Sequence, residues 1–205
     1  ADVFFVMARN QDDKSQISSF IVEKGHDGCF EQHKIKDKMG VRSSNTAELI
    51  FRDYKIPAHS LVGKEGDGFR NAMRMLNGGR ITIAAWSTGV AQAAYEKLLK
   101  YAHERELFGK YLKDLDNTKK EIAEMLTDIW AAREMAYGAA FYQEDKKVIK
   151  YAAMAKVRAT EVSVRVAERA IQLCGGYGYL RESKIERHLR DALLGRIGEG
   201  ANELL

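Results

Sequence analysis

A change of hydrophobic period at Gly68 constrains this chain more than any other feature of its 205 residues. Before it, the apolar residues fall in short, partly alternating runs. "DVFFVMA", "ISSFIVEK", "CFEQHKI" and "TAELIFRDYKI" are rich in β-branched and aromatic side chains, the pattern of strands with one covered face. Turn signals separate them: Asn10-Gln11-Asp12-Asp13, Gly25-His26-Asp27-Gly28 and Ser43-Ser44-Asn45. The only proline, Pro57, follows the last run, where a missing N–H costs no ladder bond. These runs are too few to close a sandwich, so further strands are expected from elsewhere.

From Gly68 onward the spacing is helical. The first helix is expected from Phe69 to about Glu106, with Gly78-Gly79 as its weak point. A second starts at Thr118, where Thr118 and Glu121 have the spacing of a capping box. Its Ile122, Met125, Leu126 and Ile129 form one apolar stripe. The third covers roughly 148–174 and ends at Gly175-Gly176, a C-cap signal. The fourth follows Ser183, which again makes a capping box with Glu186, and ends near Ile197. The predicted class is therefore α+β and mainly α: a partial β domain over residues 1–62, then an antiparallel four-helix bundle over 66–205.

Composition narrows the function classes. Hydrophobic residues at 45% and charged residues at 30% suit a globular protein. No apolar run approaches the roughly 20 residues that span a bilayer, so no membrane span is expected. The N-terminus lacks signal-peptide features and starts abruptly on strand-like residues, so missing upstream sequence is expected. Cys29 and Cys174 make neither a disulfide framework nor a zinc site by count, and a reducing compartment follows. The +4 charge comes without a long Lys/Arg run, so nucleic acid is not an expected partner. His26, His33, His59, His103 and His188 show no ligand spacing, so no metal is expected.

The individual motifs leave alternatives open. "GKEGDGF" (63–69) reads as a linker or a phosphate cradle, and "ERELFGK" (104–110) as a helix end with a solvated face. "IQLCGGYGY" (171–179) reads as a C-cap with packed tyrosines. Gly198-Glu199-Gly200 offers a carboxylate on a turn, either a solvated chain end or a positioned base.

Taken in order, "DKMGVRSSNTAELIFRDYKIP", "GKEGDGF", "NGGRITIAAWSTGVAQAAYEKLLKYAHERELFGK", "IQLCGGYGY", "IERHLRD" and "GEGANE" resemble the acyl-CoA dehydrogenase family over essentially the whole chain. The resemblance implies the end of a middle β domain followed by a C-terminal helical domain. It implies FAD as cofactor, an acyl-CoA thioester as substrate and α,β-dehydrogenation. Glu199 matches the loop glutamate that removes the α proton, with Gly200 beside it. The alternative base position of some members precedes the arginine of "GGR"; Gly79 stands there, and Arg80 matches the arginine that shapes the acid's surroundings.

Arg105 and Phe108 match the "ERxxFGK" residues that reach the flavin cofactor of a neighbouring subunit. Gln172, Gly175 and Gly176 match the "QxxGGxGY" element near its adenosine part. The resemblance thus implies a homo-oligomer, commonly a tetramer, with electron-transferring flavoprotein as acceptor and a bacterial cytoplasm or mitochondrial matrix as location. A separately supplied N-terminal half, a non-catalytic subunit completing a partner's FAD site, and a flavin oxidase or monooxygenase of the same fold stay open beside it. Gly198 and Ala201 replace the usual aromatic and hydroxyl residues of the base loop. Asp116 stands where a cofactor-facing glutamine is typical.

Overall fold

The alternating runs become strands β1 (Val3–Arg9), β2 (Ile17–Glu23), β3 (Cys29–Lys34) and β4 (Ala47–Arg52). They pair as two antiparallel hairpins, β1 with β2 and β3 with β4. The β3–β4 register sets Phe30 opposite Phe51, with ring centroids 5.2 Å apart, and Phe4 lies 5.4 Å from Phe30. Such aromatic pairs are the unit of sheet stabilisation. Val3, Phe5 and Met7 of β1 stay exposed.

The computed structural model describes residues 1–143 and 147–205. They form two units, 1–38 with 42–76, and 39–41 with 77–205. In the first unit the glycine-rich stretch 63–69 spends amides on the chain itself. Gly66 N–H donates to Ser18 Oγ (3.0 Å) and Lys64 N–H to Asp67 Oδ2 (3.2 Å).

Helices follow: α1 (Gly68–Glu104), α2 (Asp116–Phe141), α3 (Val148–Cys174), the single turn α4 (Gly176–Tyr179) and α5 (Glu186–Ile197). A two-residue hairpin, β5 (Glu106–Leu107) with β6 (Lys110–Tyr111), joins α1 to α2. Pairing shows the direction of α3 against α2. Glu121 meets Arg169 while Asp128 meets Arg158, so the partner number falls as the other rises.

The core of the second unit is built from small residues. Ala84, Ala91 and Ala94 of α1, Ala132 and Ala136 of α2, and Ala155, Ala159 and Ala167 of α3 are buried around Leu98, Ile129 and Val166. Small side chains let helix axes approach, and each large aliphatic one adds roughly 1.5–3 kcal/mol of burial. No helix among the described residues is long and apolar enough to cross a membrane.

The structure corrects several local expectations. Helix α1 passes through Gly78-Gly79 without a break. Helix α2 starts at Asp116 with Leu115 as N-cap, and neither α2 nor α5 has a side-chain cap bond. Thr118 is buried, and Glu121 is drawn away to Arg169 on α3, a charge-assisted pair stronger than a cap. Glu186 likewise pairs with Arg190, 2.9 Å away, while Ser183 Oγ donates to the Leu180 carbonyl. Leu126 lies off the buried stripe and is 43% exposed.

Candidate functional site

Helix α5 stops because Gly198 leaves the helical conformation (ψ 148°), its N–H still bonded to the Leu194 carbonyl at 2.8 Å. The next two residues turn left-handed, Glu199 at φ 56° and Gly200 at φ 103°. Glycine accepts such a φ freely, but a glutamate there is strained and must be held by its surroundings. A short 3-10 turn, Asn202–Leu204, follows.

Two buried cations do the holding. Arg80 of α1 is 7% exposed; its Nε donates to the Glu199 carbonyl (3.2 Å) and its Nη1 to Asn77 Oδ1 (3.2 Å). Lys156 of α3 is fully buried, and its Nζ donates to the Gly200 carbonyl at 2.6 Å and to Asn202 Oδ1 at 2.7 Å. Burial and the nearby Arg80 charge hold the Lys156 amine below the usual lysine range, against the pull of Glu203, Glu161 and Glu199.

The carboxylate of Glu199 lies against α1. A Cβ built on Gly79 would stand 2.6 Å from Glu199 Oε2 and 2.7 Å from its Cδ, whereas one built on Gly78 meets nothing within 4 Å. Gly79 therefore clears the place that the Glu199 carboxylate fills. Local pattern marks Gly78-Gly79 only as the weak point of the helix, because the partner of Gly79 is 120 residues away. Arg80, Glu199 and Gly200 thus come together, with Arg80 on the backbone carbonyl of Glu199. Lys156 and Asn202 were missed. The one signal was a lysine within the apolar face formed by Ala152, Ala155 and Ala159.

The other candidates gather elsewhere on this unit. Arg105, Gly175 and Gly176 line one recess with Tyr101, Leu112 and Tyr177. The rings of Tyr101 and Tyr177 stack at 5.0 Å and nearly parallel. Arg105 is fixed through its backbone, its N–H on the Tyr101 carbonyl (2.9 Å) and its carbonyl accepting from Leu112 N–H (2.7 Å). Gly175, at φ 57° and ψ −142°, takes a backbone conformation open to glycine and ends α3. Nothing lies within 4 Å of a Cβ built on Gly176, and its φ is ordinary, so the chain itself does not require glycine there. An approaching ligand would.

Phe108 and Gln172 do not line this recess. Phe108 takes φ 54° at the tip of the β5–β6 hairpin, with Gly109 at φ 74°, and is 95% exposed. Gln172 is exposed near the end of α3, its carbonyl accepting from Gly175 N–H. Asp116, fully exposed at the first residue of α2, has Lys119 Nζ 3.7 Å away, and the positive helix N-terminus favours a carboxylate there. No cluster of His, Cys, Asp or Glu that could hold a metal ion occurs among the described residues.

The loop after the last long helix of this helical domain thus lays the Glu199 carboxylate against α1, and a separate recess at the far end of α1 holds one arginine and two adjacent glycines. Residues 66–205 match the family model described as the acyl-CoA dehydrogenase C-terminal domain. This chain belongs to the acyl-CoA dehydrogenase family.

The short-chain-specific acyl-CoA dehydrogenase of Megasphaera elsdenii is 42% identical, over 100% of this chain and 54% of its own length. The structure of butyryl-CoA dehydrogenase from the same organism superimposes with a TM-score of 0.95, covering 100% of this chain and 54% of that one. An acyl-CoA dehydrogenase from Bacillus anthracis, solved in complex with FAD, is 30% identical with a TM-score of 0.89, over 99% of this chain and 38% of that one. The chain spans about half the length of the curated relatives it matches.

Proposed function

We propose that this chain is the C-terminal part of an FAD-dependent acyl-CoA dehydrogenase, and that Glu199 is the base that takes the α proton of an acyl-CoA thioester. The observation that carries the reading is the Glu199 carboxylate, held on a left-handed turn and fitted over Gly79. A solvated chain end would need neither the strained φ nor the cleared helix face.

The chain's own residues have separable tasks. Glu199 accepts the proton from the α carbon at a carboxylate oxygen. Arg80 fixes the peptide that bears this carboxylate, so the base meets the substrate without reorganising. Gly200 keeps the backbone beside the base slim enough for a thioester to approach. Bound FAD would supply the acceptor for the hydride that leaves the β carbon.

Arg105, Gly175 and Gly176 fit the cofactor: a guanidinium suits a pyrophosphate, and glycine admits backbone contact. Phe108 and Gln172 are assigned to the same cofactor, contributed across a subunit boundary. An aromatic ring 95% exposed on a hairpin tip supports that assignment, as does the exposed stripe Trp130, Tyr137 and Phe141 on α2, which favours a homo-oligomer, read as a tetramer. Residues 1–62 are read as the end of the middle β domain, and electron-transferring flavoprotein as the electron acceptor.

The test is Glu199→Gln, which keeps shape and removes the base. Flavin absorbance is followed in the purified full-length enzyme with added FAD, before and after anaerobic addition of a saturated acyl-CoA. The expected result is bleaching in the wild type and a rate lower by roughly 100- to 10,000-fold in the variant, with unchanged thermal melting. Full bleaching by the variant would overturn the assignment of Glu199. Failure of the wild type to retain FAD would overturn the cofactor reading.

A further inference from the structure

Lys156 has no part in the chemistry described so far, yet it is the largest fully buried side chain among the described residues. Burying an ammonium is costly unless its donors are all met. Here they are. Beyond Gly200 and Asn202, Nζ reaches the Arg196 carbonyl at 3.3 Å, in the last turn of α5. That carbonyl is among those a helix leaves unpaired at its C-terminus. Three donors thus meet three acceptors, all between residues 196 and 202.

The acceptors are themselves tied down. Asn202 Nδ2 donates to Thr160 Oγ1 (2.9 Å) and Glu161 Oε1 (2.8 Å), both one turn along α3 from Lys156. Glu161 also pairs with Arg196. From the other side Arg80 grips the Glu199 carbonyl. Successive carbonyls of the loop, those of Glu199 and Gly200, are therefore held by cations on two different helices. With both fixed, the Glu199 side chain leaves the turn toward Gly79. Full burial and three satisfied donors leave the amine no access to a ligand, so a nucleophilic role does not fit.

We propose that Lys156 is a positioning residue that aims the Glu199 carboxylate, by clamping the end of α5 and the Gly200–Asn202 turn to α3. The inference rests on Glu199 being the base. The charged groups around Nζ are Arg80 from α1, Glu161 from α3, and Glu199 and Glu203 from the terminal loop. The positive partner and the burial weaken the hold of Nζ on its proton, and the three carboxylates strengthen it.

The experiment compares wild type, Lys156→Met and Asn202→Ala in the full-length holoenzyme of which this chain is the C-terminal part. Lys156→Met keeps an unbranched chain and deletes the charge. Asn202→Ala removes one acceptor from a half-buried position and keeps the lysine, so it decides the matter if Lys156→Met does not fold. Hydrogen–deuterium exchange reads the amides of residues 198–204, and steady-state kinetics with an acyl-CoA separates kcat from KM.

Losing hydrogen bonds to a charged group should speed exchange in 198–204 by at least about tenfold, with α2 unchanged. In the same variant kcat should fall by at least about tenfold and KM by less than about twofold, because the clamp aims the base and does not bind substrate. Unchanged exchange at 198–204 overturns the clamp. Faster exchange with unaltered kcat, or loss expressed in KM alone, overturns the aiming role. Undiminished turnover by Glu199→Gln would strike the base assignment instead, while the exchange data still report on the clamp.

Discussion

Gly79 and Gly78 are adjacent in the same helix, and replacing each by alanine separates site geometry from helix stability. Both substitutions remove a mid-helix glycine, worth roughly 0.5–1 kcal/mol, or about 1–4 °C in Tm for a chain of this size. A Cβ at Gly78 meets open space, whereas one at Gly79 falls 2.6 Å from Glu199 Oε2. Ordinary contact begins at 3.4 Å, so the carboxylate must retreat by about 0.8 Å. Because that atom is the far end of a flexible side chain, the fold can absorb the shift, but the site cannot. A misplacement near 1 Å costs up to about 100-fold in rate. Gly79→Ala should therefore melt no lower than wild type and bleach flavin with acyl-CoA roughly 10- to 100-fold more slowly. Gly78→Ala should gain the same stability at little cost in rate. Equal rates for the two variants would refute the placement of Glu199 over Gly79, and a lowered Tm for Gly79→Ala would refute the fold's absorbing the shift.

Thiol labelling and acid titration probe the rest of the second unit and the strands. Burial pushes the Cys174 thiol up to about 11 while Cys29 is exposed, so a maleimide at pH 8 should label one thiol per native chain and two after denaturation. Prompt labelling of both in the native protein would contradict the packing of α3. His188 is held below its usual 6.5 by burial first and by Lys97 second, with its Nε2 buried and unpartnered among the described residues. Below pH 6.5 the unfolded chain therefore takes up a proton that the folded chain resists, and stability should fall with pH down to the lowered folded value. His188→Leu should flatten the urea midpoint between pH 6.5 and 5.5; an unaltered slope would place the effect elsewhere.

The strands, the four long helices and their order were legible in the sequence because each is a local pattern. Alternation specifies β1 to β4, and the 3.6 period specifies α1, α2, α3 and α5, with Gly175 marking the end of α3 through its positive φ. Motif order carried the family, since it needs no contact map. What local pattern could not carry was the choice among partners. Thr118 and Glu121 have capping-box spacing, yet Arg169 from the next helix outcompetes the cap.

Gly78 and Gly79 are the same letter, and only the fold distinguishes them, by bringing Glu199 over one and leaving the other open. Lys156 lies within an apolar face, and only the fold shows that the end of α5 and the loop after it bring acceptors to it from 40 to 46 residues away. Backbone periodicity is settled by neighbours within a turn or two. A buried charge and a strained φ are tolerable only where distant groups converge, so the aim of the Glu199 carboxylate belongs to the tertiary structure alone.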